Sequence, residues 1–265
     1  MSNARPAAIR YLFALVVGGL VAIGSCVSYA WNTEDNPVTG ESQRVAMSTD
    51  EEVALGRAEA PKLAAQFGGL DPDAAAQAAV DGIGGLLVRR LQDATDGDLP
   101  FEFDFHLLDD RGTANAFALP GGQIFVTEGL YRLLRDEQEL AGVLGHEIGH
   151  VVHRHASERL AVERRNAGYR AAAETVTGDG RLTGLATMMS SLAYGREQEI
   201  EADAWSVTLL SDAGYNPRAM LRVIDTLERA ARGAGGPEFL STHPASDSRR
   251  EAIVEAIDAL EADTK

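Results

Sequence analysis

His146-Glu147-Ile148-Gly149-His150 sets two imidazoles four residues apart. On a helix, at about 100° per residue, they project roughly 40° apart from one face, one turn (~5.4 Å) from each other. Two nitrogens so placed can meet one ion at ~2.0–2.1 Å, the distance zinc requires. Glu147 lies beside that face, where it can take a proton from a metal-bound water without binding the metal itself.

Two imidazoles leave an ion underheld, because a catalytic zinc usually has three protein ligands and one open position. In Arg196-Glu197-Gln198-Glu199-Ile200-Glu201-Ala202-Asp203, Glu199 and Asp203 stand one helical turn apart and share a face. Glu201 is turned about 160° from Glu199. The spacing predicts Glu199 as the third ligand, with Glu201 the alternative, and Asp203 as acceptor of the outer N–H of His146, which would fix that imidazole's tautomer. His153 and His155 extend the same predicted helix, but the three-histidine pattern of metzincins needs Gly at 153 and His at 156, which are His and Ala here. Rim packing for His153 and ordinary polar contacts for both are expected. A nucleophilic mechanism has no Gly-x-Ser-x-Gly to rest on, and the single cysteine, Cys26, lies outside the region that carries the motif.

These groups must be held by helices and a small sheet. Ser48 and Glu51 form a capping box for a helix reaching about Gln66, and Asp71-Pro72 opens another reaching about Gln92. Phe101 to Leu108 alternates apolar and polar residues as a strand does, with His106 on the polar face toward solvent. Ala116 to Val126, broken by Pro120-Gly121-Gly122, reads as a hairpin or bent edge strand. The metal-type pentapeptide falls within a helix beginning near Asp136. Between His150 and Glu199, the polar segment 174–181 reads as a loop, and the Met-rich segment 182–194 reads as core or as a wall of the cleft.

Among 265 residues, 24 Lys and Arg stand against 40 Asp and Glu, a formal charge of −16 that repels phosphate backbones and excludes nucleic acid as a natural partner. One cysteine excludes a disulfide framework and a thiolate metal cluster. Tyr11 to Ala30 carries no charged side chain and matches the ~20 residues of a bilayer-spanning helix. Arg5 and Arg10 before it, with Glu34 and Asp35 after it, orient the remainder to the outer side. Ile23-Gly24-Ser25-Cys26 is also compatible with lipoprotein-type cleavage, although the apolar run continues to Trp31 and favours an uncut anchor. The organisation expected is an anchor or signal over 1–31, an extended linker over 32–44 and one domain over 45–265.

The chain resembles the HtpX- and BepA-like zinc metallopeptidases, gluzincins related to the CAAX prenyl proteases. The likeness runs from about Asn36 to the C-terminus and rests on Asn36 to Gly40, Asn115-Ala116-Phe117-Ala118 with Gly121-Gly122, His146 to His150, Glu199 to Asp203, and Thr242-His243-Pro244. It implies an α+β, mostly helical gluzincin-type domain with a small sheet, one Zn2+ held by His146, His150 and Glu199, and endopeptidase activity on polypeptides. It further implies that Asn115, Ala116 and Phe117 are an edge strand pairing with extended substrate, a role suited to main-chain recognition. The His-Pro loop with a following Arg implies that His243 or Arg249 stabilises the oxyanion, or that His243 closes the open metal position at rest. Arg250 stands where relatives often carry an apolar residue, so either arginine could face inward. The resulting expectation is a membrane-anchored zinc endopeptidase of the bacterial envelope, facing the periplasm and acting on misfolded or misassembled envelope proteins. A zinc-activated water would be the nucleophile and Glu147 the general base. A contact-only binding protein that retains the zinc core is the rival, separable by whether the Glu147 change abolishes the effect.

Overall fold

The structure, a computed structural model, describes residues 4–31, 33–177, 194–232 and 236–263. Segment 182–193 and residues 178–181 of the expected loop lie outside the described residues, whereas 174–177 are helical. The N-terminal segment forms helix α1 (Ala4–Trp31). Among the described residues, no helix is long and apolar enough to cross a membrane.

The stretch read as an extended linker is instead a hairpin of β1 (Thr33–Asp35) and β2 (Ser42–Arg44). Its polar residues cap a helix: the Asn36 amide donates to Val152 O at 2.8 Å and the Gln43 amide to His153 O at 2.6 Å. Carbonyls at a helix C-terminus lack intrahelical partners, and these two buried side chains supply them. The low apolar content that reads as linker is thus capping chemistry.

Helix α2 (Thr49–Gln66) opens with the expected box, Ser48 Oγ accepting from the Glu51 N–H and the Glu51 carboxylate accepting from the Ser48 N–H. Helix α3 (Ala74–Ala94) is capped by Asp73, not Asp71; Asp71 accepts from the Asp73 N–H at 2.7 Å and braces the cap. The main sheet comprises β3 (Asp104–Leu108), β4 (Ala116–Ala118) and β5 (Gln123–Thr127) in the order β3-β5-β4, with β3 parallel and β4 antiparallel to β5. Phe101 to Phe103 lie outside the strand because the Glu102 N–H turns to Gly121 O at 2.9 Å. His106 is half-buried, stacked on Phe125 at 4.7 Å and bonded to Gln123 at 3.0 Å, and does not face open solvent. The expected turn Pro120–Gly122 links β4 to β5, and Gly121, at φ 80°, is needed there because a Cβ would lie 2.4 Å from Val53 of α2.

The remaining described helices are α4 (Glu128–Leu133), α5 (Glu137–Val152), α6 (His155–Thr177), α7 (Arg196–Asp212), α8 (Ala219–Ala231), α9 (Phe239–Thr242) and α10 (Asp247–Asp263). One core joins α3, the sheet, α5, α7, α8 and α10 through residues such as Leu87, Ile124, Leu144, Leu210 and Ile253. Helices α5 and α7 approach closely along Gly145 and Gly149, while Gly142 faces Met220 and Val223 of α8. A Cβ at Gly149 would lie 2.9 Å from Ala202 Cα and one at Gly145 2.9 Å from Ser206 Oγ, so bare backbone lets α7 sit against the face that carries the histidines.

Candidate metal centre

His146, Glu147 and His150 project from the buried middle of α5, Glu199 and Asp203 from the first half of α7, and His243 follows α9. One ligand atom each from His146, His150, Glu199 and His243 lies within 4.8 Å of the others. His146 Nε2 is 3.1 Å from His150 Nε2 and 3.2 Å from His243 Nδ1. Glu199 oxygens stand 3.6 Å from His146 Nε2, 3.5 Å from His150 Nε2 and 3.0 Å from His243 Nδ1. A tetrahedron with arms of ~2.0–2.1 Å has edges of roughly 3.4 Å, so these separations are those of four ligands around one zinc-sized ion.

Proton accounting points the same way. The Asp203 carboxylate, 2.9 Å from His146 Nδ1, can only accept, which assigns the His146 proton to Nδ1 and a lone pair to Nε2. On the other imidazole, His155 Nε2 lies 2.9 Å from the Glu201 carboxylate and His155 Nδ1 lies 2.8 Å from His150 Nδ1. His155 therefore donates to Glu201 and accepts from His150, leaving the His150 Nε2 lone pair aimed inward. Two lone pairs and a carboxylate converge at these distances with only the His243 Nδ1 proton available to donate among them, at 3.0 Å from Glu199, and a cation there would stabilise all three. The donor set thus fits a divalent metal with borderline-soft ligands, zinc foremost.

Electrostatics are dominated by burial. Burial pushes the Glu147 carboxyl up from its ordinary pKa, and both its oxygens lack a hydrogen-bond partner. Burial also acts to raise Glu199, but His243, His150 and His146 outweigh it and hold the carboxyl far below the usual range. His150 is pushed well down by burial and stays neutral. For His146 burial lowers the pKa, and Asp203 and Glu199 more than compensate.

Arg249 is the inward arginine. It is buried, donates through Nε and Nη2 to the two Asp203 oxygens at 2.7 Å each, and sets Nη1 2.7 Å from Glu199. Arg250 faces outward to Asp225 and Glu228. With its donors turned to Asp203, Glu199 and the His243 and Pro244 carbonyls, Arg249 braces the carboxylates in this arrangement and does not aim at an oxyanion. His243 Nε2 lies 3.6 Å from Glu147 Oε1.

Glu201, the alternative ligand, is turned away to His155. The weight carried by His155 was not legible from its helical angle, because it is not on α5. The helix ends at Val152, and Arg154, with φ 56°, turns the chain so that His155 starts α6 and folds back onto His150. Tyr194, the last residue of the segment read as core or cleft wall, is stacked on His150 at 3.9 Å, and Phe239, unmarked in the sequence as a site residue, is stacked on His243 at 4.3 Å.

Strand β4 lies at the sheet edge, and the Ala114 carbonyl just before it accepts from the Phe239 N–H at 3.1 Å, tying the edge to the loop that carries His243. Thr127 N–H donates to Asn115 O and Leu119 N–H to Gln123 O. By the two-residue alternation of an antiparallel pair, Phe117 bonds inward to β5, while Ala116 and Ala118, both buried, turn their amides and carbonyls to the edge that no described strand pairs. Asn115 is buried and its side-chain amide has no hydrogen-bond partner.

Residues 87–257 match the profile of peptidase family M48. The chain is 36% identical to the mitochondrial metalloendopeptidase OMA1 of Schizosaccharomyces pombe, over 61% of this chain and 49% of that protein. It is 31% identical to the beta-barrel assembly-enhancing protease of Escherichia coli K12, over 63% of this chain and 36% of the relative. The Yersinia pestis protein of the same name is 31% identical over 80% of this chain and 45% of its own length. The chain therefore spans less than half the length of each of these relatives.

Proposed function

The chain belongs to peptidase family M48, and on that premise we propose that it is a zinc-dependent endopeptidase whose metal ligands are His146, His150 and Glu199. The observation that carries this reading is the set of inward lone pairs and carboxylate oxygens spaced as tetrahedral edges, with the orphaned Glu147 carboxylate beside them. Bound zinc supplies Lewis acidity, which lowers the pKa of a coordinated water toward ~7 and polarises the scissile carbonyl. Glu147 takes the proton and returns it to the leaving amine; its raised pKa suits a group that must both accept and donate near neutrality. Asp203 and His155 hold the two imidazoles in the tautomers the metal needs, and Arg249 holds Asp203.

The edge of β4 that no described strand pairs suits an extended peptide once uncovered, with Ala116 and Ala118 offering main-chain groups and Asn115 an unpartnered amide. Main-chain recognition gives broad sequence tolerance, as clearing misfolded proteins requires. His243 Nδ1 occupies the corner where water must sit, so the reading includes His243 as a gate that closes the site at rest. That closed arrangement also favours a second reading, a protein acting on partners by contact alone.

Anchoring through α1, with the domain on the periplasmic side and envelope proteins as substrates, belongs to the same proposal. The charge-free run from Tyr11 to Ala30 supports it, as do the exposed Leu15, Leu20, Ile23 and Trp31 side chains and the similarity to beta-barrel assembly-enhancing proteases. The −16 charge speaks against nucleic acid.

The test is metal analysis of the full chain together with digestion of unfolded casein, with and without chelator. One zinc per chain and chelator-sensitive cleavage are expected, and His243→Ala should keep the metal and cleave faster. Cleavage indifferent to chelator overturns the enzymatic reading, and His243→Ala with unchanged rate and metal affinity removes the gate.

A further inference from the structure

Behind His150 lies a second group of metal-type donors that the proposed reaction does not use. His153, His155 and Glu201 each offer one ligand atom within 4.8 Å of the other two. His153 is only 7% exposed, its Nδ1 has no hydrogen-bond partner, and the Glu41 carboxylate of the N-terminal hairpin stands 3.9 Å from it. The His153 and His155 rings are stacked at 5.3 Å with planes 18° apart. Burial pushes the His153 pKa down to about 4, so its lone pair is free at neutral pH.

His155 Nε2 and the Glu201 carboxylate, 2.9 Å apart, are spaced near the roughly 3.4 Å edge of a tetrahedral zinc site, and Glu41, 3.9 Å from His153 Nδ1, stands beside the group. Glu41 and Glu201 open onto a hollow of about 680 Å3 whose wall also carries Glu158 and Glu197, with Arg196 the one cation lining it among the described residues. Such an acidic vestibule draws cations in and gives an entry path.

We propose that His153, His155 and Glu201, with the Glu41 charge beside them, form a second, weaker site for a divalent transition-metal ion such as zinc, and that filling it weakens the metal at His146, His150 and Glu199. The first half stands by itself; the second rests on the metal site proposed above.

The antagonism follows from counting protons. His155 now carries its proton on Nε2, donated to Glu201, and accepts the His150 proton at Nδ1. A metal on His155 Nε2 leaves that neutral ring with its proton on Nδ1, facing His150 Nδ1 at 2.8 Å. His150 can accept there only with its own proton on Nε2, the atom directed at Glu199. Each ring keeps one proton, and the inward lone pair of the first site is lost.

Zinc binding to the full chain is to be followed by equilibrium dialysis, alongside His146→Ala, Glu41→Gln and His153→Leu. Wild type should bind two ions, one tight and one weak. His153→Leu should keep the tight ion alone, and Glu41→Gln, a change to an exposed side chain that tests the site even if His153→Leu fails to fold, should weaken the second about tenfold. Because coupling is reciprocal, His146→Ala should lose the tight ion and bind the remaining one roughly 5- to 150-fold more tightly than wild type does. A single ion in wild type that His146→Ala abolishes, or a weak site indifferent to both Glu41→Gln and His153→Leu, overturns the second site. An unchanged weak site in His146→Ala overturns the antagonism. Loss of only the tight ion from wild type would count against the first metal site and leave this one standing.

Discussion

The chemistry proposed for this site depends on which nitrogen of each imidazole holds its proton. Asp203 fixes His146 and the His155–Glu201 pair fixes His150, so each ligand has a partner directly behind it. Replacing Asp203 with Asn gives Nδ1 a side chain that no longer accepts exclusively, and zinc affinity measured by chelator competition should fall about 10- to 100-fold. Unchanged affinity would remove Asp203 from this role. Glu147→Gln should retain the metal while cleavage drops by about 10^2- to 10^4-fold, since only the proton relay is lost. Steady-state casein digestion at full zinc loading reads this directly, and retained turnover would require another base.

Helices α5 and α7 bring the proposed ligands together because Gly145 and Gly149 line their contact. Gly149→Ala introduces a Cβ at 2.9 Å from Ala202 Cα and 3.0 Å from its carbonyl oxygen, contacts with backbone that cannot yield without moving α7. The expected cost is about 1–3 kcal/mol of stability, together with weaker zinc binding as Glu199 is displaced. Thermal unfolding with and without zinc separates the two, since the zinc-induced gain in melting temperature should shrink in the variant. At the sheet edge, Ala118 spends no amide on β5, so Ala118→Pro leaves the β4–β5 ladder intact and removes one main-chain donor. Peptide KM should rise while metal content stays constant; an unchanged KM would separate this edge from substrate.

Over the whole molecule, the N-terminal hairpin and α2 are fastened to the metal helix through one buried cation. Arg154 reaches Glu52 at 2.8 Å, Glu34 at 3.0 Å and the Met47 carbonyl at 2.6 Å. Burial outweighs Arg154 at Glu52 and pushes its pKa from 4.5 up to about 7. Between those values the folded state holds a proton that the unfolded chain releases, so stability contributed by this group falls as pH rises through the window and is constant above it. The change amounts to at most roughly 3 kcal/mol. Glu52→Gln should flatten that part of the profile, and parallel unfolding curves for both proteins from pH 5 to 7.5 would contradict it.

Local rules made much of this legible. The helical spacing of His146 and His150, the shared face of Glu199 and Asp203, the Ser48–Glu51 cap and the Pro120–Gly122 turn each depend on residues within a few positions, and short-range geometry is written in the chain. His155 shows what is not written there. Its place against His150 depends on Arg154 taking a left-handed conformation, which three partners drawn from 34–52 stabilise. Asn36 and Gln43 look like linker residues until the end of α5 is folded against them, and Arg249 and Arg250 are equivalent until α10 is docked. The sequence by itself determined the ligand types and the helix faces that present them, since both follow from residue identity and a period of about 3.6. Tertiary packing alone decided that His155 and Glu201 back His150 and which arginine is buried, because those contacts join segments whose separation in space no local rule specifies.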